Sequence, residues 1–161
     1  MFDDQALDPA IHDREAFESG VGALDDYLRR FAAQHRLRGI SSTFVLTESI
    51  RPDHILGYYS LSAAEVDVQR IADSERKRLP RYPVPCIRMG RLAVRSDQQG
   101  RGLGKLMVAC AVDRCMQVRR QIAAYALLVD AKDLVASAFY EHMGFKTLSD
   151  TKSTLYLALG K

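Results

Sequence analysis

A glycine-rich loop, Gln99 to Gly104, carries the clearest chemical signal in this sequence. Glycine occupies every second position of the loop, and a helical pattern follows it. Glycine lets backbone N–H groups approach a ligand closely, and the first N–H groups of a helix have no partner inside the helix. Such groups form a socket for phosphate, and Arg101 and Lys105 add positive charge beside it. The spacing fits neither the nucleotide P-loop nor the dinucleotide fingerprint, so it predicts a pyrophosphate cradle of another kind.

Positive charge is concentrated in two parts of the chain, although the net charge is only +3. Residues 76–96 contain seven basic residues and no acid, and residues 29–38 contain four arginines and no acid. Eight acids lie between Asp3 and Asp26. This asymmetry indicates an anionic partner, and a coherent basic patch is the usual footprint of nucleic-acid binding. Two ordinary solvated faces are the alternative interpretation.

The composition bounds the class of protein. A chain of 161 residues that is 47% hydrophobic predicts one domain, residues 1–161, with a real core. The three cysteines and four histidines show no ligand spacing, so we expect no metal. No apolar stretch is long enough to cross a bilayer, and the acidic N-terminus has no signal core. We therefore expect a cytoplasmic protein without a membrane partner.

Periodicity and turn signals predict alternating helices and strands around the loop. Helices are predicted near residues 21–32, 71–78, 103–118 and 134–143, and strands near 43–47, 55–62, 86–94, 123–129 and 155–159. In the last helix, Val135, Ala138, Phe139 and His142 fall on one side. The fold class is α/β (α+β), with a mixed central sheet flanked by helices.

Two motifs in this order resemble the GNAT acetyltransferase superfamily. Gln99-x-x-Gly102-x-Gly104 is similar to its Gln/Arg-x-x-Gly-x-Gly/Ala motif, and Leu92-Ala93-Val94 resembles the strand before it. About forty residues later, Phe139 to Phe145 is similar to its late Phe-Tyr-x-x-x-Gly-Phe element. The resemblance implies a GNAT fold that uses acetyl-coenzyme A as acetyl donor.

Further segments resemble one branch, the bacterial GNAT toxins of type II toxin–antitoxin systems. The matching stretches begin at His12, Leu24, Gly57, Leu79 and Val129 and cover nearly the whole chain. The resemblance implies a toxin that acetylates the amino group of aminoacyl-tRNA and blocks translation. It also implies a ribbon-helix-helix antitoxin as partner and a homodimer. Two small departures from the family pattern are Met89 and Arg95, of which Arg95 would add charge near the cradle.

The resemblance and the charge pattern together assign roles to individual residues. Tyr140 is the catalytic candidate, because a positioned phenol can donate a proton to the departing thiolate. Adjacent helix residues lie about 100° apart, so we expect Tyr140 to face the cofactor and Phe139 to face the core. Cofactor binding is assigned to Leu92, Ala93, Val94, Gln99, Gly100, Arg101, Gly102, Leu103, Gly104, Lys105, Asp130, Lys132 and Phe139. The tRNA-contact candidates are Arg29, Arg30, Arg36, Arg38, Arg78, Arg81, Arg88 and Arg91.

The sequence constrains the identity of the acetyl acceptor less than that of the donor. No side chain stands out as a general base, since Asp130 and Glu141 can equally be structural. An α-amino group has a pKa of about 7.7–8.0, whereas that of lysine is about 10.4, so a site without a strong base favours an aminoacyl ester. An acetyltransferase of small amines or protein lysines, which needs no extended basic surface, is one alternative. A non-catalytic coenzyme A-binding interaction protein is another, and Tyr140 and the glycine cradle argue against it.

Overall fold

A computed structural model describes residues 1–160 of the chain, and its strands form one seven-stranded sheet. The strands are β1 (Phe2–Ala6), β2 (Ser42–Glu48), β3 (Gly57–Val66), β4 (Val84–Val94), β5 (Ala126–Asp130), β6 (Lys146–Leu148) and β7 (Thr151–Ala158). The helices are α1 (Gly22–Arg30), α2 (Ala32–Leu37), α3 (Asp73–Arg76), α4 (Leu103–Val118) and α5 (Leu134–His142). Short 3₁₀ turns occupy Val68–Arg70 and Ser96–Gln98.

The order of strands in the sheet is β1-β2-β3-β4-β5-β7-β6. The pairs β1–β2, β2–β3, β5–β7 and β6–β7 are antiparallel, whereas β4 and β5 run parallel. A parallel pair requires a crossover connection, and α4 lies in that connection between β4 and β5. The predicted mixed α/β fold is confirmed, and the sheet is mostly antiparallel.

The chain divides into two compact units, and β3, β4 and α4 each contribute residues to both. The first unit comprises residues 1–62 and 90–111. Its core gathers buried side chains of α1, of the segment before it and of strands β2 to β4, including Phe17, Leu28, Val45 and Tyr58. A Cβ on Gly57 would meet Met107 Cε at 2.6 Å and the Ala93 carbonyl at 2.8 Å, so only glycine fits at this position in β3.

The second unit comprises residues 63–89 and 112–161. Its core gathers buried residues of strands β3 to β7 and of the turn after β3, and its members include Ile71, Val84, Leu128 and Tyr156. Residues 126–129 of β5 are all buried, as their continuous apolar run predicts for a central strand.

Several elements differ from the sequence-based predictions. The helix expected over 21–32 is broken at Phe31, where φ is −122° and ψ is −31°, and the ring of Phe31 is exposed rather than buried. The helix expected over 71–78 is reduced to α3. Strands β1 and β6 are not visible in the hydrophobic pattern. Among residues 1–160 no helix is long and apolar enough to span a membrane.

Candidate functional site

The loop between β4 and α4 has a backbone that only glycine adopts easily. Gly100 and Gly102 have φ values of +86° and +77°, in the left-handed region that disfavours side chains. No atom lies within 4 Å of a Cβ built at either position, so the backbone conformation, not crowding, requires glycine there. The open space leaves this backbone accessible to a ligand.

The start of α4 supplies unpaired donors next to these glycines. The first hydrogen bond of the helix runs from the Leu106 N–H to the Gly102 carbonyl at 3.1 Å. The N–H groups of Leu103, Gly104 and Lys105 therefore precede the helical ladder and have no acceptor within it. The first turn also contains no acid, so the helix dipole and Lys105 favour an anion at this end. The residues present fit a pyrophosphate group.

The Gln99 side chain does not point its amide at this cradle. Its Nε2 donates to the Ser19 carbonyl at 3.1 Å and to the Val94 carbonyl at 3.2 Å. Gln99 thereby holds the loop to the end of β4 and to the segment before α1. The sequence assigned Gln99 to the cofactor, and the geometry adds a positioning contact that the motif alone does not reveal.

Residues 16–19, here called the clamped segment, are held by this same loop and by α1. Each of their four consecutive carbonyls accepts a hydrogen bond from a different residue. In chain order the donors are Arg95 Nη1 at 2.8 Å, Arg29 Nη1 at 3.1 Å, the Ser96 N–H at 2.8 Å and Gln99 Nε2 at 3.1 Å. Buried Asp25 completes the arrangement by accepting from the Ser19 hydroxyl at 2.6 Å. Three of the four donors belong to the loop, so its conformation and that of the clamped segment depend on each other.

The position of Arg95 corrects one expectation from the sequence. Arg95 is only 8% exposed, and its Nε donates to the Ile55 carbonyl at 2.9 Å. Its guanidinium is thus engaged with backbone carbonyls instead of adding free charge near the cradle. Burial, followed by the positive charge of Arg95, lowers the pKa of the neighbouring His54.

A cavity of about 410 Å³ lies against the clamped segment and α1. The charged residues that line it are Glu15, Glu18, Asp25 and Arg29. The lining of this cavity is therefore mainly acidic. The loop between β4 and α4, in contrast, forms the cradle that favours an anion.

The basic residues of the first unit have different surroundings. Arg91 stacks on Tyr27 with its Cζ 3.4 Å from the ring centroid, and Arg36 donates to the Leu7 carbonyl at 3.4 Å. Arg30 lies 5.8 Å from the Phe31 ring centroid. Arg38 is exposed and forms no ion pair among residues 1–160. Arg101 is exposed as well and contacts Gln98 and Glu48, the latter at 3.9 Å.

Tyr140, in the second unit, is 6% exposed and packs edge-on against Phe139 and Phe145. Burial, together with the charge of Asp130, raises the pKa of Tyr140 to about 12. Within residues 1–160 its hydroxyl makes no hydrogen bond, and the fully buried unpaired polar atoms there are His12 Nε2 and Thr43 Oγ1. The Tyr140 oxygen therefore reaches the surface as a protonated, unengaged donor.

The prediction that Phe139, and not Tyr140, faces the core on α5 is wrong. Tyr140, not Phe139, is the more deeply buried of the two rings, and Phe139 is half-buried. Val135, Ala138 and His142, which share a face with Phe139, are exposed. The buried face instead carries Ser137, because its hydroxyl donates to the Lys152 carbonyl at 3.3 Å and so satisfies a polar group inside.

Asp130 and Arg88 form an ion pair in the second unit, and Asp130 also accepts from the Thr154 hydroxyl at 3.0 Å. Arg88 is thus partly neutralised. Arg78, Arg81 and Lys132 are exposed and make no ion pair within residues 1–160, so their charges are available to an outside partner.

A network around Glu75 was not foreseen from the sequence. Glu75 accepts hydrogen bonds from Tyr156 at 2.7 Å, Lys146 at 2.8 Å and Tyr125 at 3.1 Å. Burial raises the pKa of Glu75, but these three hydrogen bonds outweigh that effect and hold the pKa below its usual value. The network fixes α3 to the second unit, and no sequence motif marks it.

Similarity to known proteins identifies the family of this chain. The profile of the acetyltransferase (GNAT) domain matches residues 39–147. A tRNA-acetylating toxin of Mycobacterium tuberculosis (strain ATCC 25618 / H37Rv) is 38% identical over 134 residues, which are 83% of this chain and 78% of that protein.

Two solved structures share the fold along nearly the whole chain. AtaT complexed with acetyl-methionyl-tRNAfMet aligns with a TM-score of 0.91 at 24% identity, over 98% of this chain and 95% of that one. A tyrosine-to-phenylalanine variant of the AtaT toxin, bound to the C-terminus of the antitoxin AtaR and acetyl-CoA, aligns with a TM-score of 0.82 at 22% identity, over 98% and 93%. The resemblance drawn from the sequence motifs is thereby confirmed, and this chain belongs to the GNAT acetyltransferases.

Proposed function

We propose that this protein is a toxin that transfers an acetyl group from acetyl-coenzyme A to the α-amino group of aminoacyl-tRNA and so blocks translation. The observation that supports aminoacyl-tRNA as the acceptor is the 38% identity to a tRNA-acetylating toxin over 83% of the chain. The anion cradle at the start of α4 supports the donor, and the exposed arginines Arg38, Arg78 and Arg81 support an RNA partner.

The cradle and β4 hold the donor in this proposal. The N–H groups of residues 102–105 would hold the pyrophosphate, and the backbone of Leu92, Ala93 and Val94 would pair with the extended arm of the coenzyme. Acetyl-coenzyme A supplies the acetyl group as a thioester. A backbone N–H near Val94 stabilises the negative charge that develops on the thioester oxygen.

Tyr140 supplies the proton that the departing thiolate needs. Its raised pKa of about 12 keeps the hydroxyl protonated at neutral pH. The acceptor amine has a pKa of about 7.7–8.0 or lower, so much of it is neutral without help from a strong base. Water takes the proton that the amine loses, and no carboxylate of the chain is assigned as base.

The partners follow from the same proposal. We infer that an antitoxin of the ribbon-helix-helix class binds the protein, that two copies form a homodimer and that the whole chain acts as a single cytoplasmic acetyltransferase domain. A toxin that modifies charged tRNA needs an antitoxin to protect the cell that makes it, and the ribbon-helix-helix class follows from the family resemblance.

The direct test uses acetyl-coenzyme A labelled in the acetyl group. Label is expected on charged tRNA and not on the same tRNA after its amino acid has been removed. Small amines and lysine peptides serve as competing acceptors, and faster labelling of either would favour the alternative acetyltransferase. Absence of label from every charged isoacceptor would rule out the proposed acceptor.

A further inference from the structure

The junction between α1 and α2 exposes an aromatic ring within an arginine-rich surface. Phe31 lies at this junction and is 43% exposed. The chain from Tyr27 to Thr47 contains four arginines and no acid. One of these arginines, Arg29, pairs with Asp26 just before the stretch. An exposed ring in an arginine-rich stretch is complementary to a partner that is both anionic and aromatic.

The Phe31 ring is part of a row of contacting rings, Tyr27, Phe31 and His35, which is here called the ladder. Tyr27 and Phe31 are stacked with centroids 6.3 Å apart, and Phe31 and His35 have centroids 6.0 Å apart. The Tyr27 hydroxyl lies 3.0 Å from His35 Nδ1, which fixes both ends of this turn. Arg91 covers the Tyr27 ring at 3.4 Å. One end of the ladder is therefore closed by the Arg91 guanidinium. Phe31, at the other end, stays 43% exposed, although the Arg30 guanidinium lies 5.8 Å from its ring centroid.

We propose that Phe31 is a stacking platform for an unpaired base at the single-stranded 3′ end of tRNA. This inference rests on the proposed function and adds a recognition site to it. Every base has a π-face, and base–aromatic stacking beside positive charge is how proteins hold single strands without reading their sequence. Arg30 precedes Phe31 in the chain and Arg38 follows it, and both are exposed. In this proposal they contact the phosphates that flank the base.

Neighbouring apolar side chains allow an RNA partner to be distinguished from a protein partner. Leu37 is 89% exposed and Ile40 is 54% exposed, and both follow Phe31 in the same segment. A protein docked here would bury these side chains together with Phe31. A base needs only the ring, so Leu37 serves as a matched control.

The test compares two uncharged RNAs, an intact tRNA and the same tRNA without its last three nucleotides. Affinity is measured by fluorescence anisotropy, so it does not depend on acetyl transfer. For the Phe31→Leu variant we expect roughly tenfold weaker binding of the intact tRNA and unchanged binding of the shortened one. Phe31→Tyr, which keeps the ring, and Leu37→Ala are expected to bind both RNAs like the wild type.

Several results would overturn the inference. If Phe31→Leu lost affinity equally for both RNAs, or for neither, the 3′ end of the tRNA would not be what stacks on Phe31. A Leu37→Ala loss as large as that of Phe31→Leu would indicate apolar docking of a protein, and a changed oligomeric state of Phe31→Leu would indicate a second copy. If the wild type fails to label charged tRNA, the proposed function fails; if it labels charged tRNA but Phe31→Leu binds normally, only this inference fails.

Discussion

The Tyr140 hydroxyl is a polar group without a structural partner in residues 1–160, although its ring is almost completely buried. Removal of that oxygen should therefore leave the packing against Phe139 and Phe145 intact. Tyr140→Phe is expected to lower kcat by about a hundredfold or more, as loss of a general acid does. Its affinity for acetyl-coenzyme A, measured by calorimetry, should stay within about twofold of the wild type.

A second tyrosine provides the control for that substitution. The Tyr156 hydroxyl donates to Glu75 at 2.7 Å, so Tyr156→Phe should lower the melting temperature while kcat stays near that of the wild type. If both variants lost kcat in proportion to their loss of stability, Tyr140 would have no specific part in proton transfer.

The pKa of Tyr140 also predicts the pH profile of the reaction. Burial raises that pKa to about 12, so the donor form persists through the whole range in which the amine deprotonates. We expect kcat/KM to rise with the neutral amine, near a pKa of about 7.7 or below, and then to level off up to pH 9. A fall in initial rate between pH 8 and 9 would indicate a donor with a much lower pKa than Tyr140.

We predict that Gln99 supports acetyl-coenzyme A binding by holding the loop in place, and not through charge. Its amide donates to two carbonyls, and Gln99→Glu would place a carboxylate against both. Two unsatisfied carbonyls at this point should loosen the loop and weaken acetyl-coenzyme A binding by about tenfold. Gln99→Arg retains donors and should recover most of the affinity, whereas Gln121→Glu on the exposed surface should change nothing. Equal affinity in all variants would show that the cradle keeps its shape without Gln99.

At the scale of secondary structure, the parts of the fold that periodicity determines are also the parts that were predicted. The buried strand β5 and the long helix α4 follow from continuous or helically spaced apolar residues. Strand β1 reads Phe-Asp-Asp-Gln-Ala and pairs only with β2, so its pairing, and not its hydrophobicity, makes it a strand. Edge strands with charged residues are common because charge discourages pairing with other chains.

The faces of the helices were harder to predict than their existence. No proline or glycine marks the break at Phe31, so the predicted helix over 21–32 runs through it, and α2 was not predicted at all. On α5, apolar Leu134 and Val135 are about 80% exposed while Ser137 is buried. Packing against β6 and β7 and one side-chain hydrogen bond decide that face, and neither is visible in a hydrophobic pattern.

The candidate site was predictable where it depends on the backbone. Alternate glycines before a helix indicate the cradle directly, and Gly100 and Gly102 have the left-handed conformation that requires them. Contacts between distant residues were not predictable. The hydrogen bonds of Arg95 to Ile55 and Ala16 join positions 40 and 79 residues apart in sequence, and no local pattern encodes such a pairing.

Helix α3 is too short to be stable alone, and its attachment through Glu75 gives a testable dependence on pH. Because the folded pKa of Glu75 is lowered, its contribution to stability is present above the unfolded value of about 4.3 and is lost as pH falls through the folded value. Glu75→Gln should therefore lower the free energy of unfolding at pH 7 by about 1 kcal/mol or more. The difference from the wild type should shrink as pH decreases below about 4.

The matched control for Glu75 lies on the same helix. Asp73 pairs with Arg76 at 2.6 Å, but its side chain is 85% exposed. Asp73→Asn should change stability by less than about 0.5 kcal/mol, as is usual for a surface pair. Urea unfolding at pH 7 and pH 3.5 measures both variants, and equal effects of the two substitutions would contradict a structural role for the Glu75 network.

For the whole molecule, the position of positive charge should matter more than its amount. Arg78 and Arg81 are exposed without ion pairs among residues 1–160, in a stretch that contains no acid from residue 76 to 96. The double variant Arg78→Glu, Arg81→Glu should bind tRNA much more weakly. If each arginine contacts one phosphate, the slope of log affinity against log salt should become shallower by about 1.5 to 2.

A second double variant separates location from net charge. Arg119→Glu with Arg120→Glu changes the total charge by the same amount, but these residues follow α4, outside both acid-free stretches. We expect it to retain the wild-type salt slope and nearly the wild-type rate on charged tRNA. If the two double variants weakened binding equally, the tRNA would respond to overall charge alone. If neither affected transfer, an acceptor without phosphates, such as a small amine, would become the better interpretation, because its recognition needs no extended basic surface.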